Sequence, residues 1–120
     1  MDWQVVFYVD EDGNEAVKDF ILRQPKGAIA EIIDVLKLLR EFDIRLSSPY
    51  VRKIDRSGIR ELRIRHSSDS YRIFFFAFVG RKFVLLHAIT KKGDRIPEGD
   101  KAVAIRRMYD HMSRHADERD

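Results

Sequence analysis

The chain has 120 residues, enough for one domain with one modest core, and its apolar share of 44% is ordinary for a globular protein and argues against disorder. There is no cysteine, which excludes disulfides and thiolate chemistry and fits a reducing compartment. The formal net charge is only +3 but unevenly spread: residues 1–50 carry six Lys/Arg against ten Asp/Glu, whereas residues 51–95 carry twelve against four.

In chain order, "WQVVFYV" (3–9) is β-branched and aromatic, ends at the turn signal Asp10-Glu11-Asp12-Gly13, and predicts a first strand. In "NEAVKDFILRQ" (14–24), Val17, Phe20 and Ile21 share a helical face. Pro25 breaks that helix or opens the next, over 26–42, where Ile29, Ile32, Ile33, Leu36 and Leu39 recur at helical spacing. Val35, Leu38 and Phe42 widen the stripe, which predicts a well-buried helix. From Ser47 the period shortens. "YVRKI" (50–54) predicts a short strand, and "IRELRIRH" (59–66) alternates, with Leu62 and Ile64 on one face and Glu61, Arg63 and Arg65 on the other. Ser67 to Ser70 read as a turn, "YRIFFFAFV" (71–79) as a central strand apolar on both faces, and "KFVLLHAI" (82–89) as the next strand. After Pro97, Asp100 can cap a last helix on which Ala102, Ile105, Met108 or Tyr109, and Met112 share a face, with 113–120 expected to fray.

The order β-α-α-β-β-β-β-α with hairpin-length turns predicts a single α+β domain over 1–120: a small, mostly antiparallel mixed sheet, an N-terminal helical hairpin and a C-terminal helix. Helices on one side would leave the other sheet face available, with Arg63, Arg65 and Arg72 as candidates to line it. The N-terminus lacks a basic n-region and turns acidic early, so no signal peptide is expected. The longest apolar run, Ile73 to Val79, is too short for a bilayer, so a cytoplasmic protein without a membrane partner is expected.

The basic half suggests an anionic partner such as nucleic acid, or a solvated basic face with none. Its few acids, Asp55, Glu61, Asp69 and Asp94, lie mostly in predicted turns and do not resemble a two-metal nuclease. His66, His87, His111 and His115 have no zinc spacing with cysteine, and the last two read as surface residues. A phosphate-binding G-x-x-x-x-G-K-S/T loop is missing. No metal or cofactor is expected. An arginine-rich surface can bind RNA and stabilise a pentavalent phosphorane, and RNA's own 2′-OH can supply the nucleophile.

Glu61-Leu62-Arg63, Tyr71-Arg72-Ile73-Phe74, Leu85-Leu86-His87, Lys91-Lys92 and Pro97, in that order, resemble the RelE/HigB superfamily of type II toxins, in its phage-derived Gp49-like HigB branch. The resemblance implies a RelE-like fold and a metal-independent endoribonuclease, an mRNA interferase that cuts on the ribosome. It also implies neutralisation by a cognate helix-turn-helix, HigA-like antitoxin, with operator DNA bound through the complex. It gives catalytic parts to Arg63, Arg72, Lys91 and Lys92. Lys53 corresponds to the cation of the preceding strand, and Arg65, His66 and His87 are further candidates to bind RNA. The aromatic hydroxyl that RelE-like enzymes place after the basic pair is missing from Gly93-Asp94-Arg95.

Bland readings stand beside these. Arg63 can pair with a cross-strand acid, and Arg72 can be a buried arginine paired with Glu61. The lysine pair can guard a sheet edge, His87 can be a satisfied core histidine, His66 can be merely exposed, and Tyr71 with the phenylalanines can be core. Two other functions share the fold: a ParE-like gyrase inhibitor that cuts nothing, and an inactive member that only forms a repressor complex.

Overall fold

A computed structural model describes every residue except 1, 92, 94, 119 and 120. The elements are β1 (Gln4–Phe7), α1 (Ala16–Leu22), α2 (Lys26–Phe42), β2 (Val51–Lys53), β3 (Arg60–His66), β4 (Asp69–Phe78), β5 (Lys82–Lys91) and α3 (Glu98–Arg114). One-turn 3-10 helices lie at Asp43–Arg45 and Ala116–Glu118. The fold is α+β, in agreement with the RelE-like arrangement. The five strands lie in the order β1-β5-β4-β3-β2; β2 to β5 form an antiparallel meander and β1 joins β5 in parallel.

Helices cover both faces of the sheet, so the wholly available face expected from the sequence does not exist. On one face α1 and α2 press Val17, Ile21, Ile32 and Leu39 onto Leu62, Ile64, Ile73, Phe75 and Leu85. On the other, Ala104 and Met108 of α3 cover Phe74, Phe76, Phe78, Val84 and Leu86. β4 therefore has to be apolar on both sides, and burying each such side chain contributes about 1.5–3 kcal/mol. Because α3 crosses only part of its face, the half of the sheet where β3 ends and β4 begins stays uncovered by it.

The expected elements are present, with shifted details. The buried stripe of α2 is Ala28, Ile32, Val35 and Leu39, which leaves Ile33 and Phe42 exposed. α3 starts at Glu98 behind Pro97, so Asp100 is not its cap, and its buried face is Ala104, Met108 and His111. Ala102 and Tyr109 are exposed, and His111 is not a surface residue. Residues 113–118 continue in helix and a 3-10 turn, tied by a 2.9 Å bond from Lys82 Nζ to Glu118 Oε1. Ser70, expected in a turn, belongs to β4, and the turn shrinks to Ser67-Ser68 between the paired residues His66 and Asp69.

One irregularity fixes what β5 presents. Phe74 pairs with His87 and Phe75 with Leu85, so Leu86 is an extra residue, a β-bulge. Strict alternation from Val84 and Leu86 would put Ala88 and Thr90 on the α3 face. The bulge reverses the parity, so that His87, Ile89 and Lys91 point there instead.

Candidate functional site

Register brings the basic residues together in rows across the uncovered half of the α3-side face. Arg52 lies opposite Glu61, Glu61 opposite Phe74, and Phe74 opposite His87. In the next row Arg63 lies opposite Arg72 and Arg72 opposite Ile89; in the third, Arg65 lies opposite Ser70 and Ser70 opposite Lys91. Cations from four strands thus surround one carboxylate.

That carboxylate, Glu61, is wholly buried. Its Oε1 accepts a hydrogen bond from Arg52 Nη2 at 3.2 Å and lies 3.4 Å from Arg72 Nε and 3.8 Å from Arg63 Nε. Its Oε2 is 4.0 Å from Lys91 Nζ. Oε2 and Arg72 Nε make no hydrogen bond among the described residues. Arg72 is anchored instead through Nη1, which donates to Ser70 Oγ and, at 3.4 Å, to the Tyr71 carbonyl. Burial pushes the Arg72 guanidinium below its ordinary value, as do Arg63, Arg52 and Arg65, while Glu61 opposes them. Like charges directly across a ladder repel, and here Arg63 faces Arg72. Three guanidiniums share one carboxylate, which leaves the cluster poised to accept a further anion.

The cations fall into two layers. The Arg72 and Lys91 side chains are only 6% and 3% exposed, whereas Arg63 and Arg52 reach 32% and 47%. Arg65 is exposed. Beside them, where β2 has ended and β3 continues, lies a groove of about 360 Å³ lined by Tyr50, Pro49, Arg63, Arg65, Arg72 and Glu31, among others. Tyr50 presents an exposed ring there, and its carbonyl accepts the Arg63 amide at 2.8 Å.

Residues 19–109 match the family described as phage derived protein Gp49-like (DUF891). The chain belongs to that family. Membership is consistent with the toxin of a toxin–antitoxin pair, with an antitoxin as partner. No curated protein matches the chain. No helix among the described residues is long and apolar enough to cross a membrane.

In this Gp49-like chain Arg63, Arg65, Arg72 and Lys91 come together, and Lys92 lies outside the described residues. His87 shares the row of Glu61 but stands two strands away from it, stacked on Phe74. Arg107 Nη1 donates to its Nδ1 at 3.3 Å, and its Nε2–H donates to Asp100 Oδ1 at 2.7 Å, so α3 holds both ring nitrogens. Lys53 and His66 stand apart. Alternation turns Lys53 away from Arg52, and it lines a separate cleft with Asp55, Arg56 and Arg60. The His66 ring packs on Gly27 of α2, where an added Cβ would come within 2.6 Å of it.

Arg52 and Tyr50 are the residues that sequence reasoning missed. Both sit in the segment predicted as a strand. The signal for Arg52 was its alternation with Val51, which the β2–β3 register converts into a place opposite Glu61.

Proposed function

We propose that this Gp49-like protein is a toxin that cuts mRNA, on the ribosome, by using the RNA's own 2′-OH as nucleophile. The observation that carries this reading is the convergence of Arg52, Arg63, Arg72 and Lys91 on one buried carboxylate beside an open groove. In the proposed reaction the 2′-oxygen bonds to phosphorus as the P–O5′ bond breaks. The 2′ proton passes to a base and the 5′-oxygen takes up a proton, leaving a 2′,3′-cyclic phosphate and a 5′-hydroxyl. Arg63 and Arg65 grip the backbone, and Tyr50 offers a ring on which a base can stack. Arg72 and Lys91, from the inner layer, stabilise the charge that grows on the phosphorane, and Lys92 serves the leaving oxygen. Lys53, His66 and His87 enter the reading only as contacts to neighbouring nucleotides. A helix-turn-helix antitoxin silences the toxin, and the pair binds its operator DNA.

The near-complete burial of Arg72 and Lys91 also suits a second reading, in which they are structural and the protein acts by binding alone. Incubating RNA with the purified protein separates the two. The first reading expects the same cuts in excess EDTA and none in a substrate with 2′-deoxyribose at the scissile position. Cutting of that deoxy substrate, or loss of all cutting in EDTA, overturns it; an RNA left intact favours the second.

A further inference from the structure

β4 outruns its neighbour. The β3–β4 ladder ends where Arg60 pairs with Phe75, yet β4 continues through Phe78. On the side that β3 occupies higher up, no strand pairs with Phe76–Phe78 among the described residues. A central strand thus becomes an edge strand over its last turn of pleat, beside a position that no paired strand fills and that Ser57 and Gly58 of the β2–β3 turn border. Natural edges are blunted by proline, lysine or a bulge, and Phe76-Ala77-Phe78 has none of these on that side.

The empty position is walled as a strand would need. A groove of about 470 Å³ runs along this edge. Ile44, 55% exposed, stands at one wall, and Met108, Met112 and Tyr109 of α3, the last 62% exposed, stand at the other. Alternate side chains of an added strand would turn toward these two apolar walls. The end of the groove next to the ladder is basic. Arg60 lines it, and Lys53 and Arg56 line the adjoining cleft. These three form no salt bridge among the described residues, and Asp55 beside them is bonded to Lys101 at 2.8 Å. Paired antiparallel, a second copy would bring its own residues 79–82 to this end, which carry two cations and no acid, so charge selects an acidic partner.

We propose that the open edge of β4 takes an extended segment of a partner polypeptide as an added strand, apolar at alternate positions and acidic at the end that meets Arg60. This surface is distinct from the cation cluster, and the inference does not depend on RNA cleavage.

The probe is a displayed library of short peptides with a central stretch of randomised apolar and β-branched residues and aspartates at both ends. A parallel library carries lysines in place of the aspartates. The aspartate library should yield binders whose affinity falls at least about tenfold on Tyr109→Asp, Ile44→Asp or Arg60→Glu, the cost of losing one central contact. N-methylation of alternate peptide amides should abolish binding, and hydrogen exchange should slow within Phe76–Phe78. The Arg63→Ala/Arg65→Ala variant should bind as the wild type does. The proposal is overturned if no peptide is enriched, if lysine-flanked peptides bind equally, or if Tyr109→Asp and Ile44→Asp are without effect. It is equally overturned if binding is lost in Arg63→Ala/Arg65→Ala, which places the acids on the cation cluster. Self-association of the wild type that Tyr109→Asp abolishes would make a second copy the occupant and overturn it too.

Discussion

Glu61→Gln keeps the shape of a side chain and removes its charge. Because the carboxylate is wholly buried among Arg52, Arg63, Arg72 and Lys91, the change leaves cations facing one another, and stability should fall by about 3–5 kcal/mol in urea titrations. Arg52→Ala removes a half-exposed partner and should cost under about 1 kcal/mol. The same reasoning separates two tests of the proposed reaction. Arg72→Ala removes a buried partner of Glu61, so a loss of activity there is mixed with a loss of fold. Arg63→Gln touches a partly exposed side chain, and RNA cleavage should fall by about 10²–10³ with the urea midpoint little changed. Glu61, Arg63, Arg65 and Arg72 could be read from the sequence, because alternation in 59–66 assigns the first three to one face and the Tyr-Arg strand draws notice. The hub could not. Which cation stands opposite which acid depends on register across four strands, and a one-residue slip would move every side chain to the other face.

Elements show the same division between what pattern fixes and what packing decides. Hydrophobic period and residue type located the three α-helices and the five strands, but the bulge at Leu86 has no turn residue to announce it. It decides that Lys91 faces the cluster. The β3–β4 hairpin turns on Ser67 at a φ of 54°, a region that side-chain-bearing residues enter at a cost. Ser67→Gly should therefore stabilise the protein by up to about 1 kcal/mol, seen as a raised Tm. α3 supplies a pH dependence. Burial against Phe76 and Phe78 holds the His111 imidazole down to about 4, helped by the charges of His115, Arg114 and Lys82 and opposed by Glu118. The unfolded chain, with its ordinary value near 6.5, binds a proton there that the folded chain refuses. Stability is thus complete above that value and declines as pH falls from it toward 4, by up to about 1.4 kcal/mol per unit. Asp55, held to about 2 by its bonds from Lys101 and Ser57, titrates below this window. Urea midpoints at neutral and acid pH should show the slope, and His111→Phe should flatten it. The pair His111 and His115 looked exposed in the sequence because spacing alone does not say which side of α3 meets β4.

For the molecule as a whole, crowding guanidiniums around one carboxylate means that any bound anion should stabilise the fold. Sulfate or phosphate should raise Tm beyond what sodium chloride does at equal ionic strength, with a concentration dependence set by its Kd. In Arg63→Ala/Arg65→Ala that excess should vanish. The parallel pairing of β1 with β5 has a consequence in time. Gln4–Phe7 meet their partners only in Lys82–Leu85, and Lys91 is the last described cation to reach Glu61. During synthesis at about 5–20 residues per second, α1 and α2 exist for some seconds before the strand they and β1 must share has been made. Throughout that interval the nascent chain has neither a closed sheet nor an assembled cation cluster. A product halted before Lys82 never acquires either, so the proposed toxicity requires synthesis to have passed through the whole of β5.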